Sequence, residues 1–335
     1  MTLLALDDRR WREFVESRPD STIFHHPMWA KLLADCYGYR AMAVVLEGGG
    51  AVTAGLPAID VSLPVGPRRW VSLPFTDHCP PLADGDGADL IGILGDLARS
   101  SFDVLELRAA VSDPTIQSGG AFVRHDLALS DDVASTWKRM RRNHRRSVQD
   151  AEAAGVRIAR GSSASDVDTF YRIHVQTRRR LGVPVQPRRF FQLLFERVIR
   201  PGLGFVLTAY QGDAPAAGGI FCAWNGMLTC KYSGRADGFE KVDAVHLLYW
   251  NAIRWAIENG YHTFDLGRTG IEQTQLRSFK VGWGTREEPL PYAWVGRAPV
   301  RASSHRLERA MGPFIRNSSP WVCRAIGEVF YKYAA

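Results

Sequence analysis

The chain has 335 residues, 46% of them apolar and 23% charged, a composition that fills a sizeable core and excludes a disordered or fibrous protein. Cys36, Cys79, Cys222, Cys230 and Cys323 stand far apart with no Cys-x-x-Cys pair, which leaves neither a disulfide framework nor a structural zinc site. The net charge of +7 is local: Lys138–Arg146 holds six cations and no acid, and Thr169–Phe195 holds Arg172, Arg178, Arg179, Arg180, Arg188 and Arg189 with no acid, so the rest of the chain is acidic and these two windows suit a polyanionic ligand.

In chain order, turn signals and apolar spacing predict a helix over Pro27–Cys36 and strands over Arg40–Leu46, Ala51–Val61 and Arg68–Leu73. A helix over Ala88–Arg99, a strand over Phe102–Leu107, a short helix over Pro114–Gln117 and a strand over Phe122–Leu129 follow. At about 100° per residue, Lys138, Arg139, Arg141, Arg142, Arg145 and Arg146 share one arc, with Trp137, Met140, Val148 and Ala151 opposite, which predicts one amphipathic helix with a cationic face. Then come a strand over Val156–Arg160, helices over Asp166–Arg180 and Pro187–Val198, and strands over Gly204–Tyr210, Pro215–Trp224 and Met227–Ser233, the last two joined by the hairpin pair Asn225-Gly226. A helix over Asp243–Asn259, a strand over His262–Leu266, a helix over Ile271–Val281 and a strand over Leu290–Val295 follow. A last helix from Ser319 to Tyr333 is expected to dock on the fold with Trp321, Ile326, Val329 and Phe330 broadly on one side.

The two halves repeat one pattern of elements, which implies a duplicated α/β unit of the α+β type, with mixed, mainly antiparallel sheets flanked by helices. The expected organisation is an N-terminal domain over 1–132, a basic junction helix over 133–155 and a C-terminal domain over 156–335. The element order resembles the GNAT acyltransferase fold, and its doubling resembles the Fem family of aminoacyl-tRNA-dependent peptidoglycan transferases. Local strings carry the resemblance across nearly the whole chain: Phe24-His25-His26-Pro27-Met28-Trp29-Ala30-Lys31, Arg146 through Val156, Lys231-Tyr232-Ser233-Gly234, Phe264-Asp265-Leu266-Gly267-Arg268-Thr269 and Phe279-Lys280-Val281-Gly282-Trp283-Gly284.

Acyl transfer to an amine needs an aligned donor and acceptor, a neutral amine, and positive charge or N–H donors where the oxyanion develops. No serine-nucleophile arrangement is present, so direct amine attack is expected. The resemblance implies that Lys280 stabilises the developing negative charge, with Phe279 beside it at the donor's reactive end and Trp283 close by. It also implies that Lys31 contacts phosphates of a peptidoglycan precursor. Asp265, at a strand end, either orients or deprotonates the amine or bonds its own turn at Gly267 and Thr269, and Arg268 follows it on the donor side. Arg235-Ala236-Asp237-Gly238 matches the start of an acyl-CoA pyrophosphate loop, with Arg235 and Gly238 as donor contacts, but Glu240 stands where that loop carries a small residue. Acceptor contacts are expected from Asp77 and His78 in the loop Pro74–Pro81, from the helix pair His174 and Arg178, and from Tyr232. Each of these has a plain core or surface reading beside the functional one.

These residues point to an amide-forming acyl or aminoacyl transferase with no metal and no tightly bound cofactor. Its co-substrate is aminoacyl-tRNA or, alternatively, an acyl-CoA, and its acceptor a peptidoglycan precursor, lipid-linked at the inner membrane surface, or another small amine. A second alternative is a non-catalytic protein that binds RNA or an anionic surface through its basic faces. The first residues turn acidic and then basic too early for a signal peptide, and no apolar run approaches the roughly 18 residues of a membrane span, so a cytoplasmic location is expected.

Overall fold

A computed structural model describes residues 1–61, 68–84, 88–101, 103–111, 116–120, 122–130, 132–296 and 311–334. It divides into two compact units, one of residues 1–124 and 288–300, the other of residues 125–287 and 301–334.

In the first unit, β1 (Thr2–Leu4), β2 (Arg40–Gly48), β3 (Ala51–Asp60) and β4 (Arg69–Val71) form an antiparallel meander. β4 then pairs in parallel with β6 (Val104–Leu107), and the short β5 (Leu82–Ala83) sits on β3. Helices α1 (Arg9–Ser17), α2 (Pro27–Tyr37) and α3 (Ala88–Ser101) accompany the sheet. α2 begins where the sequence says it should: Pro27 is at its first turn, His26 caps it through Met28 N, and Gly38 ends it at φ +74°.

The second unit repeats the plan with longer strands. β9 (Arg157–Gly161), β10 (Gly204–Gln211), β11 (Ala214–Trp224) and β12 (Met227–Arg235) are antiparallel neighbours, and β12 pairs in parallel with β13 (Thr263–Gly270). Asn225 and Gly226 both have positive φ, the twist a two-residue hairpin requires. The crossover from β12 to β13 is α8 (Ala244–Glu258), whose buried Leu247, Leu248, Ala252 and Ile253 join Phe205, Phe221 and Phe264 in the core. α6 (Ala164–Leu181) starts with a capping box between Ser163 and Asp166 and stops at Gly182, φ +72°. α7 (Arg188–Leu194) and a π-helical turn over Phe195–Ile199 continue from it.

The last strands of the two halves are exchanged. β8 (Phe122–Ala128) closes the first half of the sequence yet lies beside β13, and β15 (Tyr292–Gly296) ends the second half yet pairs with β6 and with β7 (Gln117–Gly119). β14 (Arg286–Pro289) is the outer neighbour of β8.

Several expectations are corrected. Gln117 lies in β7, not in a helix, because it pairs with Trp294; Pro114 of that expected helix lies outside the described residues. The basic segment forms two helices, α4 (Val133–Arg139) and α5 (Arg142–Ala153), since Met140 is extended at ψ 146° and its side chain is buried. The six cations therefore do not share one continuous helix face. α9 (Thr274–Val281) starts three residues later than expected. The chain ends in α10 (residues 311–317) and α11 (Pro320–Phe330), and α11 docks through Cys323 and Gly327, while Trp321 and Val329 face outward.

Candidate functional site

The second unit's sheet opens at one place. β12 and β13 are paired only through Met227–Thr263, Leu228–Phe264 and Thr229–Asp265, and no later pair is described. Immediately beyond Thr229, Lys231 is the extra residue of a bulge, because Cys230 faces Phe221 while Tyr232 faces Ile220. A bulge bends its strand and increases twist, and the pairing of β12 with β13 ends here, leaving a fork between the two strands.

Asp265 stands at that fork, 7% exposed. Its Oδ1 accepts from Gly267 N at 2.7 Å and its Oδ2 from the Thr229 hydroxyl at 3.4 Å. The carboxylate thus shapes the β13 turn, where Gly267 takes φ +70°. Lys280 arrives from α9, 6% exposed, and its Nζ donates to the carbonyls of Gly267 (3.0 Å) and Arg268 (2.9 Å). An ammonium in so dry a place acts on nearby charge far more strongly than one in water. Cys230, Ser233 and Tyr249 complete a buried polar group: the Tyr249 hydroxyl lies 2.9 Å from Ser233 Oγ and 3.4 Å from Cys230 Sγ. Burial raises the Tyr249 pKa far above its ordinary value and that of Cys230 to about 11, so both keep their protons.

Behind Lys280 sits an aromatic box that sequence reasoning missed. His144 of α5 is buried and its Nε2 lies 2.8 Å from the Phe279 carbonyl oxygen. Its ring meets His246 and Trp283 edge-on, each at 5.0 Å, and Phe279 at 5.4 Å. His246 Nδ1 is 3.2 Å from Asp243, which caps α8 in the left-handed region at φ 50°. Burial pulls both histidines below their ordinary pKa, opposed at His246 by Asp243. The Asp243-x-x-His246 spacing at a helix start was the available signal; His144 was hidden within a run of arginines. His125 of β8 is fully buried and 3.8 Å from Glu287, with its pKa lowered to about 4 by burial and by Lys280.

The remaining residues fall elsewhere. Trp283 is fully buried against Tyr249, whose ring stacks on it at 5.5 Å, and it meets Phe279 edge-on at 6.0 Å. His174 is 4% exposed, bonded to Gln186 at 2.8 Å and enclosed by Phe170, Phe191 and Tyr232. Burial lowers its pKa to about 3, and Arg178 donates to the Pro184 carbonyl. Tyr232 is half-buried in this cluster. Arg235 at the end of β12 pairs with Glu240 at 3.3 Å, and in the loop that follows Asp237 pairs with Arg179 and Arg180 and Gly238 is exposed at φ +87°.

Lys31, Asp77 and His78 belong to the first unit. Lys31 pairs with Asp7 at 3.3 Å. The Asp77 carbonyl accepts from the Tyr292 hydroxyl at 2.6 Å, and His78 lies 3.2 Å from Arg124, its pKa lowered by burial to about 3. Leu73 and Phe75 both take positive φ around this loop, a strain that its buried Thr76 and Cys79 hold in place.

Among the described residues no cluster of His, Cys, Asp and Glu could hold a metal ion. No described helix is long and apolar enough to cross a membrane.

Residues 138–276 match the family model of the acetyltransferase (GNAT) domain. No curated protein matches the sequence. Among solved structures, FemX is similar at a TM-score of 0.69 and 12% identity, covering 92% of this chain and 99% of that one. The C-terminal domain of a putative lysylphosphatidylglycerol synthetase from Agrobacterium fabrum gives 0.60 and 12%, covering 90% and 95%. A tandem GNAT protein of the clavulanic acid biosynthesis pathway gives 0.53 and 13%, covering 89% and 98%. With a matched acetyltransferase domain and two sheets built on one plan, the chain has the GNAT acyltransferase fold in its Fem-like, tandem form.

Proposed function

We propose that this protein is an amide-forming aminoacyl transferase in which a bound amine attacks an activated carbonyl directly at the fork between β12 and β13. The observation that carries the reading is Lys280: a buried ammonium fixed by two carbonyls at that fork. There it stabilises the oxyanion as the tetrahedral intermediate forms, at no reorganisation cost, and collapse of that intermediate breaks the acyl–oxygen ester bond and releases the tRNA ribose hydroxyl, which takes up the proton the amine loses. Asp265 orients the turn that positions Lys280, and Phe279 packs beside the donor's reactive end.

Aminoacyl-tRNA is the favoured donor. In an acyl-CoA enzyme of this fold, pyrophosphate would meet backbone N–H groups between β12 and α8. Here that loop holds Asp237, Glu240 and Asp243, which engage Arg179, Arg180, Arg235 and His246 and so occupy the cations a pyrophosphate would need. Exposed cations at Lys138, Arg139, Arg141, Arg142 and Arg146 offer a tRNA the phosphate contacts it needs. The acceptor is an amine on a peptidoglycan precursor, the acceptor class that the resemblance of the Phe279-Lys280 segment to the Fem family implies.

A second reading is favoured by the family match alone: an acyl-CoA-dependent N-acyltransferase using Arg235 and Gly238. One experiment separates the two. Purified protein and Lys280→Ala are incubated with aminoacyl-tRNA or acetyl-CoA and a peptidoglycan precursor, and product is followed by mass spectrometry. Lys280-dependent transfer from tRNA is expected; transfer from acetyl-CoA alone would establish the second reading, and no transfer from either would refute both.

A further inference from the structure

α11 docks with the face opposite to the one its sequence suggests. Cys323 and Gly327 are buried, and a Cβ on Gly327 would stand 1.9 Å from the Val185 carbonyl oxygen, so the helix backbone lies directly on the 183–185 segment. Trp321 is 69% exposed and Val329 56% exposed, and with Ala325 they occupy the outward stripe at i, i+4 and i+8. Phe314 of α10, Phe330 and Leu181 at the end of α6 are also exposed. Half of the ten large apolar side chains exposed among the described residues therefore lie on α10, α11 and the end of α6.

Beside this stripe is a cleft of about 430 Å³ between α6, the start of α7 and α11. Arg172, Arg188 and Arg324 line it together with Tyr171. Asp168 answers Arg188 at 3.2 Å, and Glu328 accepts from the Arg188 backbone at 2.8 Å. Arg172 donates only to the Thr169 hydroxyl among its described bonds. Arg189 stands on α7 and the exposed Arg316 on α10, so guanidiniums on α6, α7, α10 and α11 accompany the apolar ridge.

We propose that this face docks onto a bilayer of anionic phospholipid. Trp321, Val329 and Phe314 enter the boundary between headgroups and acyl chains, while Arg172, Arg188 and Arg324 take phosphodiesters. Water-exposed apolar side chains flanked by guanidiniums are the composition an anionic lipid surface satisfies on both counts, the tails taking the apolar ridge and the headgroups the charge. The proposal does not rest on the transfer reaction.

The test is co-sedimentation of the full chain with phosphatidylcholine vesicles, with and without phosphatidylglycerol. Binding is expected only with phosphatidylglycerol and falls with added salt. Trp321→Ser with Val329→Ser, both exposed positions, is expected to weaken it about tenfold or more, and Arg172→Gln with Arg324→Gln by a similar factor, at roughly fivefold per charge. Circular dichroism melting confirms that each variant folds. Absent binding to anionic vesicles, or equal binding by folded variants, overturns the proposal. So does a dimer in light scattering that Trp321→Ser with Val329→Ser converts to monomer, or saturable glycerol phosphate binding without vesicle binding.

Discussion

Replacing Lys280 by Met keeps the length and apolar stem of the side chain and deletes only the ammonium. Two charge-assisted hydrogen bonds, to Gly267 and Arg268, are lost; each is worth about 1.5–3 kcal/mol. Against that, the folded state no longer holds a cation that is 6% exposed, and burying an ion costs several kcal/mol. The two effects nearly cancel, leaving a net loss of about 0–3 kcal/mol, or a fall in Tm of up to roughly 10 °C at 2–4 °C per kcal/mol. Transition-state stabilisation has no such compensation: removing one oxyanion-stabilising group costs roughly 10²–10³ in rate. The assay is single-turnover transfer from aminoacyl-tRNA, well below the variant's Tm. A folded variant that keeps its rate within about threefold would refute the placement of the oxyanion at Lys280.

Further predictions concern pH, packing and the C-terminus. His25 and His174 are buried, with pKa values lowered to about 4 and about 3, against roughly 6.5 in the unfolded chain. Above pH 6.5 both states leave them neutral and stability is full; as pH falls toward 4 the unfolded chain alone takes up protons, costing about 1.4 kcal/mol per pH unit for each histidine. Urea midpoints between pH 7.5 and 4.5 should fall accordingly, and a His174→Phe variant with an equally steep decline would count against this account. In Gly282→Ala the new methyl would lie 2.2 Å from His144 Cε1, and moving a ring tied to Phe279 should cost about 1–3 kcal/mol in a thermal melt; an unchanged Tm would mean that the box is loose. Gly327→Ala should lift α11 off the Val185 carbonyl and speed proteolysis of the last residues, and an unchanged cleavage rate would contradict the tight docking.

Local features were legible wherever chain-local chemistry decides them. Pro27 and Gly38 bracket α2, Ser163 and Gly182 bracket α6, and Asn225-Gly226 turns a hairpin, because caps and turns need particular dihedrals and nearby acceptors. Candidate site residues were legible only as types. Nothing in the spacing of Phe279-Lys280-Val281-Gly282-Trp283 says that Lys280 turns inward to two carbonyls, that Trp283 is sealed against Tyr249, or that Gly282 leaves room for His144, 138 residues earlier. His174 carries the opposite lesson: on a helical wheel it pairs with Arg178, yet Phe170, Phe191 and Tyr232 enclose it.

The sequence by itself determined a duplicated α/β unit, the hairpin and helix ends set by local caps and turns, its basic windows and the segment that carries Lys280, because periodicity and turn chemistry act over a few residues. Tertiary structure alone decided that β8 and β15 exchange places, that the basic segment breaks at Met140, and that α11 buries Cys323 and Gly327 while Trp321 stays in water. Strand partners and helix faces are chosen by which apolar surfaces remain uncovered once the rest has folded, and that competition between distant segments is not written in any local pattern.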